Sequence, residues 1–236
     1  RLCRGWLAGE AAHQRRPLLG QGINSGMRDV LTLAWELPVV LSGQCAPSLL
    51  DTYQVERDDH AHDLVSWAVD MGHLMQHVAA TEAAERDGEE LPQMQQTSQK
   101  SGYGQGREQP PIRSGVVMTA QVSNEGASGY LLPQPVVRNS NGEEVRFDDL
   151  VGAHFAVVSH EPARFDAAST AVINALKIKV IDVSALEIVH GKFPDLLHAG
   201  EALLIRPDRL VFGHTDPDVT LGSLLTRLAE SLHYSR

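Results

Sequence analysis

The chain has 236 residues and 25.7 kDa, room for one large domain or two small ones. Its 30 acidic against 20 basic residues give a net charge of −10, which excludes a broad basic surface for nucleic acid or an anionic membrane. Two cysteines, Cys3 and Cys45, exclude a disulfide framework and a cysteine metal site. With no apolar run of about 18 residues and no signal-peptide order, the expectation is a cytoplasmic protein without a membrane span, whose partners are small molecules or other proteins.

In chain order, Arg4-Gly5-Trp6-Leu7-Ala8 reads as a short buried strand ending at Gly9. No period holds again until Ile23, Met27, Val30, Leu31, Ala34 and Leu37, whose spacings of three and four predict a helix from about Ile23. Asn24 or Ser25 is its expected cap, and Pro38 is expected to end or kink it. After the loop Ser42 to Pro47, a second helix is predicted from Ser48 to about Arg86, with Gly72 as a point of interruption. Residues 87–128, rich in Gln, Gly, Ser, Glu and Pro, read as a linker.

The remainder, 129–236, changes character. Phe155-Ala156-Val157-Val158 and Ile178-Lys179-Val180-Ile181 are short apolar runs flanking a helical stretch from about Ala163 to Leu176, as a βαβ crossover requires. Ala202-Leu203-Leu204-Ile205 and Leu210-Val211-Phe212, joined by Arg206-Pro207-Asp208-Arg209, predict a hairpin. A final helix is predicted from Leu221 to Leu232, and an edge segment near Val136–Val145. The order β-α-β-β-α describes a thioredoxin-like domain. Where redox members carry Cys-x-x-Cys this chain has Ser159-His160-Glu161-Pro162, so thiol exchange is not expected and a structural or dimerisation role is.

The stretch Gly9-Glu10-Ala11-Ala12-His13, Pro17, Gly20-Gln21-Gly22-Ile23-Asn24-Ser25-Gly26 and Asp29 carries the chemistry. Its glycines allow close backbone approach, and the helix that follows offers free N–H groups and a partial positive charge. Such a site suits an electron-rich carbonyl or an anion; the pyrimidine edge of a flavin is one candidate.

At these residues the chain resembles the flavin-dependent aromatic hydroxylases, single-component FAD monooxygenases whose motif runs Gly-Asp-Ala-Ala-His, two prolines, then Gly-Gln-Gly-x-Asn-x-Gly-x-x-Asp. Leu33-Ala34-Trp35, Leu50-Asp51-Thr52-Tyr53 and Glu56-Arg57 continue the likeness. Gly152 to Val157 and Ile205 to Arg209 resemble the thioredoxin-like extension of the 3-(3-hydroxyphenyl)propionate hydroxylase type. The resemblance implies an α/β protein: residues 1–86 as the C-terminal part of an FAD-binding domain (strand, cofactor loop, long helices), and 129–236 as a thioredoxin-like domain.

It further implies FAD as cofactor, NADH or NADPH as transient electron donor, and a phenolic substrate hydroxylated with O2. The implied cofactor contacts are Gly9, Glu10 toward the ribityl chain, Pro17 near the reactive ring face, and Gly20, Gln21, Gly22, Ile23 and Asn24 at the pyrimidine edge. No catalytic or metal residue is assigned. Glu10 stands where the family has Asp, and Arg16 where it has the first proline, so a weakened ribityl contact is expected.

The Gly-x-Gly-x-x-Gly turn that cradles the FAD pyrophosphate in the family is not found in the chain, and Gly102-Tyr103-Gly104-Gln105-Gly106 lies in the polar linker rather than after a strand. The chain opens on Arg1, not Met, and further sequence upstream is expected. The chain by itself is therefore expected to be inactive, as part of a longer hydroxylase; the alternative is a non-catalytic remnant or a thioredoxin-like interaction module. His13 is expected to pack under the loop rather than act as a base, Asp29 to be a helix-surface or packing residue near the loop with a cofactor contact as the lesser alternative, and His60 and His62 to lie on a solvated acidic surface rather than bind metal. Trp6, Trp35 and Trp67 are expected in core or interface positions.

Overall fold

A computed structural model describes residues 5–13, 21–88, 110–122, 127–193, 197 and 200–232. The first long element is α1, Gln21–Leu41. It begins two residues before the expected start, so Asn24 and Ser25 lie inside its first turns rather than capping it. It also passes through Pro38 without ending there. That proline forfeits one bond, to the Ala34 carbonyl, and only three more helical residues follow it. Termination comes at Gly43, whose φ of +74° lets Gly43 N–H reach the Val40 carbonyl and Gln44 N–H reach that of Val39, both at 3.0 Å.

The apolar stripe that predicts α1 is its exposed face. Ile23, Met27, Val30 and Leu31 are 75, 59, 57 and 48 % exposed, whereas Ser25, Asp29, Thr32 and Glu36 are buried. Those four polar residues recur at spacings of four, three and four, so they form one face that the helix turns inward. Trp35 joins them.

Helix α2, Thr52–Asp87, follows a short turn over Pro47–Asp51 and runs unbroken past Gly72 for roughly 54 Å at about 1.5 Å per residue. Its N-terminal part packs through Tyr53, Glu56, Arg57, His60 and Leu64, again at helical spacing, and Ala84 near its far end is buried as well. Gly88, at φ +71°, ends it. The segment Gly5–Ala8 makes no strand, and Leu7 is half-exposed. It is held instead by the Tyr53 hydroxyl, which donates to the Leu7 carbonyl at 2.8 Å.

The C-terminal part holds two sheets. Strands β1 (Val136–Arg138) and β2 (Glu144–Arg146) form a hairpin, followed by the short α3, Phe147–Val151. Then come β3 (Ala156–Ser159), α4 (Ala167–Leu176), β4 (Lys179–Asp182), β5 (Glu187–His190), β6 (Ala202–Ile205), β7 (Val211–His214) and α5 (Leu221–Ser231). The larger sheet has the order β4-β3-β6-β7, with β3 parallel to β4 and the other neighbours antiparallel. This is the expected thioredoxin-like β-α-β-β-α unit. The segment expected as its edge instead belongs to a separate sheet of order β2-β1-β5.

Strands β3 and β6 are buried on both faces, because helices cover one side and α3 with its neighbours the other. Ala156, Val158, Leu203 and Ile205 meet Phe147, Val151 and Phe193 on one side. On the opposite side, Val157, Leu204 and Phe212 meet Leu224, Leu225 and Leu228 of α5. That second cluster also takes in Trp35, Cys45 and Leu49, and the Trp35 ring meets Phe155 edge-on at 5.4 Å. The helical and thioredoxin-like parts thus share one core.

Residues 110–122, in the stretch read as a linker, are packed: Ile112, Val116 and Val117 are buried, and Met118 N–H donates to the Phe212 carbonyl at 2.7 Å. Gly115, at φ +85°, passes so close to Glu56 that a Cβ would collide with its side chain. Gly102 to Gly106, Tyr103, Cys3 and the Trp67 side chain lie outside the described residues.

Candidate functional site

Gly9 opens a 3-10 turn, Gly9–Ala11, at φ +61°, a conformation glycine adopts without strain. The Ala12 and His13 N–H groups donate to the Gly9 carbonyl at 2.9 and 3.0 Å. The turn is pressed onto α1: a Cβ on Gly26 would sit 3.1 Å from the Gly9 Cα.

Asp29 fixes this arrangement. Its fully buried carboxylate accepts the Gly9 N–H at 2.8 Å and His13 Nε2 at 2.7 Å on one oxygen, and Arg57 Nε at 2.7 Å on the other. Arg57 in turn reaches the Ser25 carbonyl and hydroxyl at 3.4 and 3.3 Å and lies 3.1 Å from His60 Nδ1. His13 therefore holds the loop, as expected of it. Asp29 is far more than a packing residue, and His60 is buried rather than on a solvated face, because Arg57 draws it inward. No group of three or more metal-ligating side chains occurs among the described residues.

Of the residues the sequence assigns to a flavin, Gly9 and Glu10 lie in the turn packed on α1 at Gly26 and Asp29, and Gln21, Gly22, Ile23 and Asn24 form the first turn of that helix. Pro17 and Gly20 lie outside the described residues, as does the Gln21 side chain. Glu10 is exposed and has no side-chain partner among the described residues; Ile23 and Asn24 are exposed, and open space adjoins Gly22. The first N–H groups of a helix lack intrahelical acceptors, so this end of α1 presents donors near the turn that carries the exposed Glu10. His13 Nδ1 is buried without a partner among the described residues. One edge of a flavin, with carbonyls to accept and a ribityl hydroxyl to donate, fits that donor and acceptor set.

A second buried network lies behind the first. Arg206, in the β6–β7 turn, donates from Nη1 and Nη2 to the two oxygens of Glu56, each at 2.9 Å, and from Nε and Nη2 to those of Asp208 at 3.0 and 2.6 Å. Its fifth donor direction reaches the Val116 carbonyl at 2.9 Å, and its guanidinium stacks over Trp35 with a centroid distance of 5.1 Å. Asp208 accepts from Trp35 Nε1 at 3.1 Å, and Glu56 from the Val116 N–H at 2.7 Å. Burial alone would lower the Arg206 pKa, but Asp208 and Glu56 outweigh it and hold it above the usual range. Glu56 and Arg57 are adjacent on α2, so one turn of helix links the thioredoxin-like domain to the Asp29 cluster.

Beside them, burial and then the Glu56 charge push the Glu36 carboxyl up to about 8, against attraction from Arg206 and a hydrogen bond from Thr52. Sequence reasoning quoted Glu56-Arg57 and the Ile205–Arg209 turn only as matches; nothing in their spacing says that they meet.

Comparison with known proteins bears directly on the two parts. A family model described as "FAD binding domain" matches residues 3–68, and one described as "HcaD C-terminal domain" matches residues 129–231. The 3-(3-hydroxy-phenyl)propionate/3-hydroxycinnamic acid hydroxylase of Klebsiella pneumoniae strain 342 is 31 % identical across 98 % of this chain, and the enzyme of that name from Escherichia coli strain K12 is 29 % identical across all of it. Over nearly its whole length the chain is similar to part of these hydroxylases. It spans 46 and 47 % of the length of those two relatives.

Solved flavin-bound enzymes superpose on it. Aklavinone-11 hydroxylase, determined with FAD and aklavinone, gives a TM-score of 0.63 at 27 % identity, with 98 % of this chain and 44 % of that one covered. The rebeccamycin biosynthetic enzyme RebC with reduced flavin gives 0.62 at 21 % identity, covering 97 % of this chain and 45 % of that one, a likeness of fold. Among the described residues no helix is long and apolar enough to cross a membrane.

Proposed function

We propose that this chain forms one wall of the flavin site in an FAD-dependent monooxygenase that hydroxylates a phenolic ring, with NADH or NADPH as electron donor. The observation that carries this reading is the locked pairing of the Gly9–His13 turn with the N-terminal half of α1 through Asp29, which holds the turn bearing the exposed Glu10 near the helix end that presents free N–H groups. FAD, when bound, supplies hydride acceptance and oxygen activation. This chain's residues would orient it: backbone N–H groups at Gly22 to Asn24 toward the pyrimidine edge, Glu10 toward the ribityl hydroxyls, Pro17 and Gly20 along the ring.

In this reading the thioredoxin-like domain acts as a brace. No thiol stands at Ser159-His160-Glu161-Pro162, and Ser159 Oγ instead donates to the Glu161 carbonyl at 2.6 Å. The test joins residues 1–236 to the N-terminal region that precedes the matching segment in the Klebsiella relative. The joined protein should retain FAD and oxidise NADH or NADPH faster when 3-(3-hydroxyphenyl)propionate is added, with a hydroxylated product. Tight FAD binding by residues 1–236 alone would contradict the one-wall reading, and a joined protein that folds but holds no FAD would overturn the function.

A further inference from the structure

Two imidazoles on the far half of α2 take no part in the flavin wall. His73 and His77 stand four residues apart in a helix that runs unbroken through both, His73 exposed and His77 half-buried. That spacing puts them on one face of the helix, with Cβ atoms about 6 Å apart. Neither ring has a hydrogen-bond or ion-pair partner among the described residues; the Thr81 hydroxyl donates at 3.0 Å to the His77 main-chain carbonyl and leaves the imidazole alone. His13 and His60, by contrast, are engaged with Asp29 and Arg57. His73 and His77 fall between the segments that the family models match, 3–68 and 129–231, so neither likeness accounts for the pair.

We propose that His73 and His77 form a two-histidine site for a borderline divalent transition metal, Zn(II), Ni(II) or Cu(II), held by one ring nitrogen of each with water completing the coordination. Neutral imidazole suits these cations, whereas Mg(II) and Ca(II) require oxygen ligands. Metal-to-nitrogen distances of about 2.0 to 2.1 Å are within reach of two rings on successive turns, the spacing at which two histidines of one helix grip zinc. The surroundings favour a cation: the chain carries a net charge of −10, and Glu82 and Glu85 are exposed further along the same helix. Two protein ligands leave the remaining positions open, so the ion exchanges with solvent and spans one turn of α2 as a clip. By linkage it stabilises the helical form of that turn. The site lies on α2 alone and stands whether or not the chain serves a flavin.

The experiment is a calorimetric titration of Zn(II) into the 236-residue chain, and into that chain joined to the Klebsiella N-terminal region. One Zn(II) per chain should bind through this pair, with Cu(II) binding more tightly and Mg(II) giving no competition. His73→Ala and His77→Ala should each weaken Zn(II) binding by about tenfold or more. His77→Gln, which keeps a polar side chain of similar size, should do the same. His62→Ala, roughly 16 Å away along α2, should leave binding unchanged. Zn(II) should also slow amide hydrogen exchange across residues 74–81 in the unaltered chain and have no such effect in His77→Ala.

Zn(II) affinity unaltered in His77→Ala would overturn the proposal, and so would displacement by Mg(II), which assigns the cation to the acidic surface. Loss of the site in His62→Ala, or its absence from the joined protein, would overturn it as well. Binding that depends on both His73 and His77 but brings no protection at 74–81 would overturn the clip across one turn.

Discussion

Asp29 receives three donors on two oxygens, and none of its partners is near it in sequence: Gly9 and His13 lie 20 and 16 residues before it, and Arg57 28 residues after. Its removal would leave the Arg57 guanidinium buried and unpaired, so Asp29→Asn should destabilise the chain by about 3–5 kcal/mol, read from urea unfolding. Glu36 is a different case. Its carboxyl lies near 8 when folded against an ordinary value of 4.5, so the folded state holds a proton that the unfolded state releases. That contribution is present in full below 4.5 and is lost as pH rises toward 8. Stability should therefore fall over this window by at most about 1.4 kcal/mol per pH unit from this group. Glu36→Gln should flatten that slope in denaturation curves taken from pH 5 to 8; an unaltered slope would refute the assignment.

At the scale of elements, the Arg206 network ties the β6–β7 turn to α1 and α2. Arg206→Met would strand the Glu56 and Asp208 carboxylates in the interior, and a loss of about 3–5 kcal/mol is expected, larger than for Asp208→Asn, which leaves the paired forks of Glu56 and Arg206 in place. Most elements could be read from sequence: the hairpin around Arg206–Arg209, the crossover through α4 and the two long helices all follow from apolar spacing and turn residues. The facing of α1 could not. Periodicity finds a stripe but assumes that apolar means inward, and here Asp29, Thr32 and Glu36 are buried because Arg57, Asp208 and Thr52 receive them. The same reason hid His60, whose acidic neighbours in sequence point elsewhere on α2. The Gly9–Asp29 stretch was legible as a motif, whereas the bracing behind it depends on contacts across as many as 176 residues, from Thr32 to Asp208.

Over the whole molecule, Trp35, Cys45 and Leu49 enter the cluster that α5 and the larger sheet build, so no water layer separates the helical part from the thioredoxin-like domain. The two should unfold in one transition. With Trp6 and Trp67 replaced by Phe, Trp35 fluorescence and far-ultraviolet circular dichroism should give coincident urea curves, and separated midpoints would show that the shared core is not cooperative. In functional terms the domain without a Cys-x-x-Cys pair becomes the support on which α1 and α2 carry the Gly9 turn. The most direct test of that flavin wall is FAD affinity in the protein joined to the Klebsiella N-terminal region, measured by flavin fluorescence for Glu10 and for Glu10→Ala. The substitution should weaken FAD binding about tenfold, the loss of about 1.4 kcal/mol that a hydrogen bond to a charged group contributes. An affinity unchanged by Glu10→Ala would contradict the placement of this turn against the cofactor.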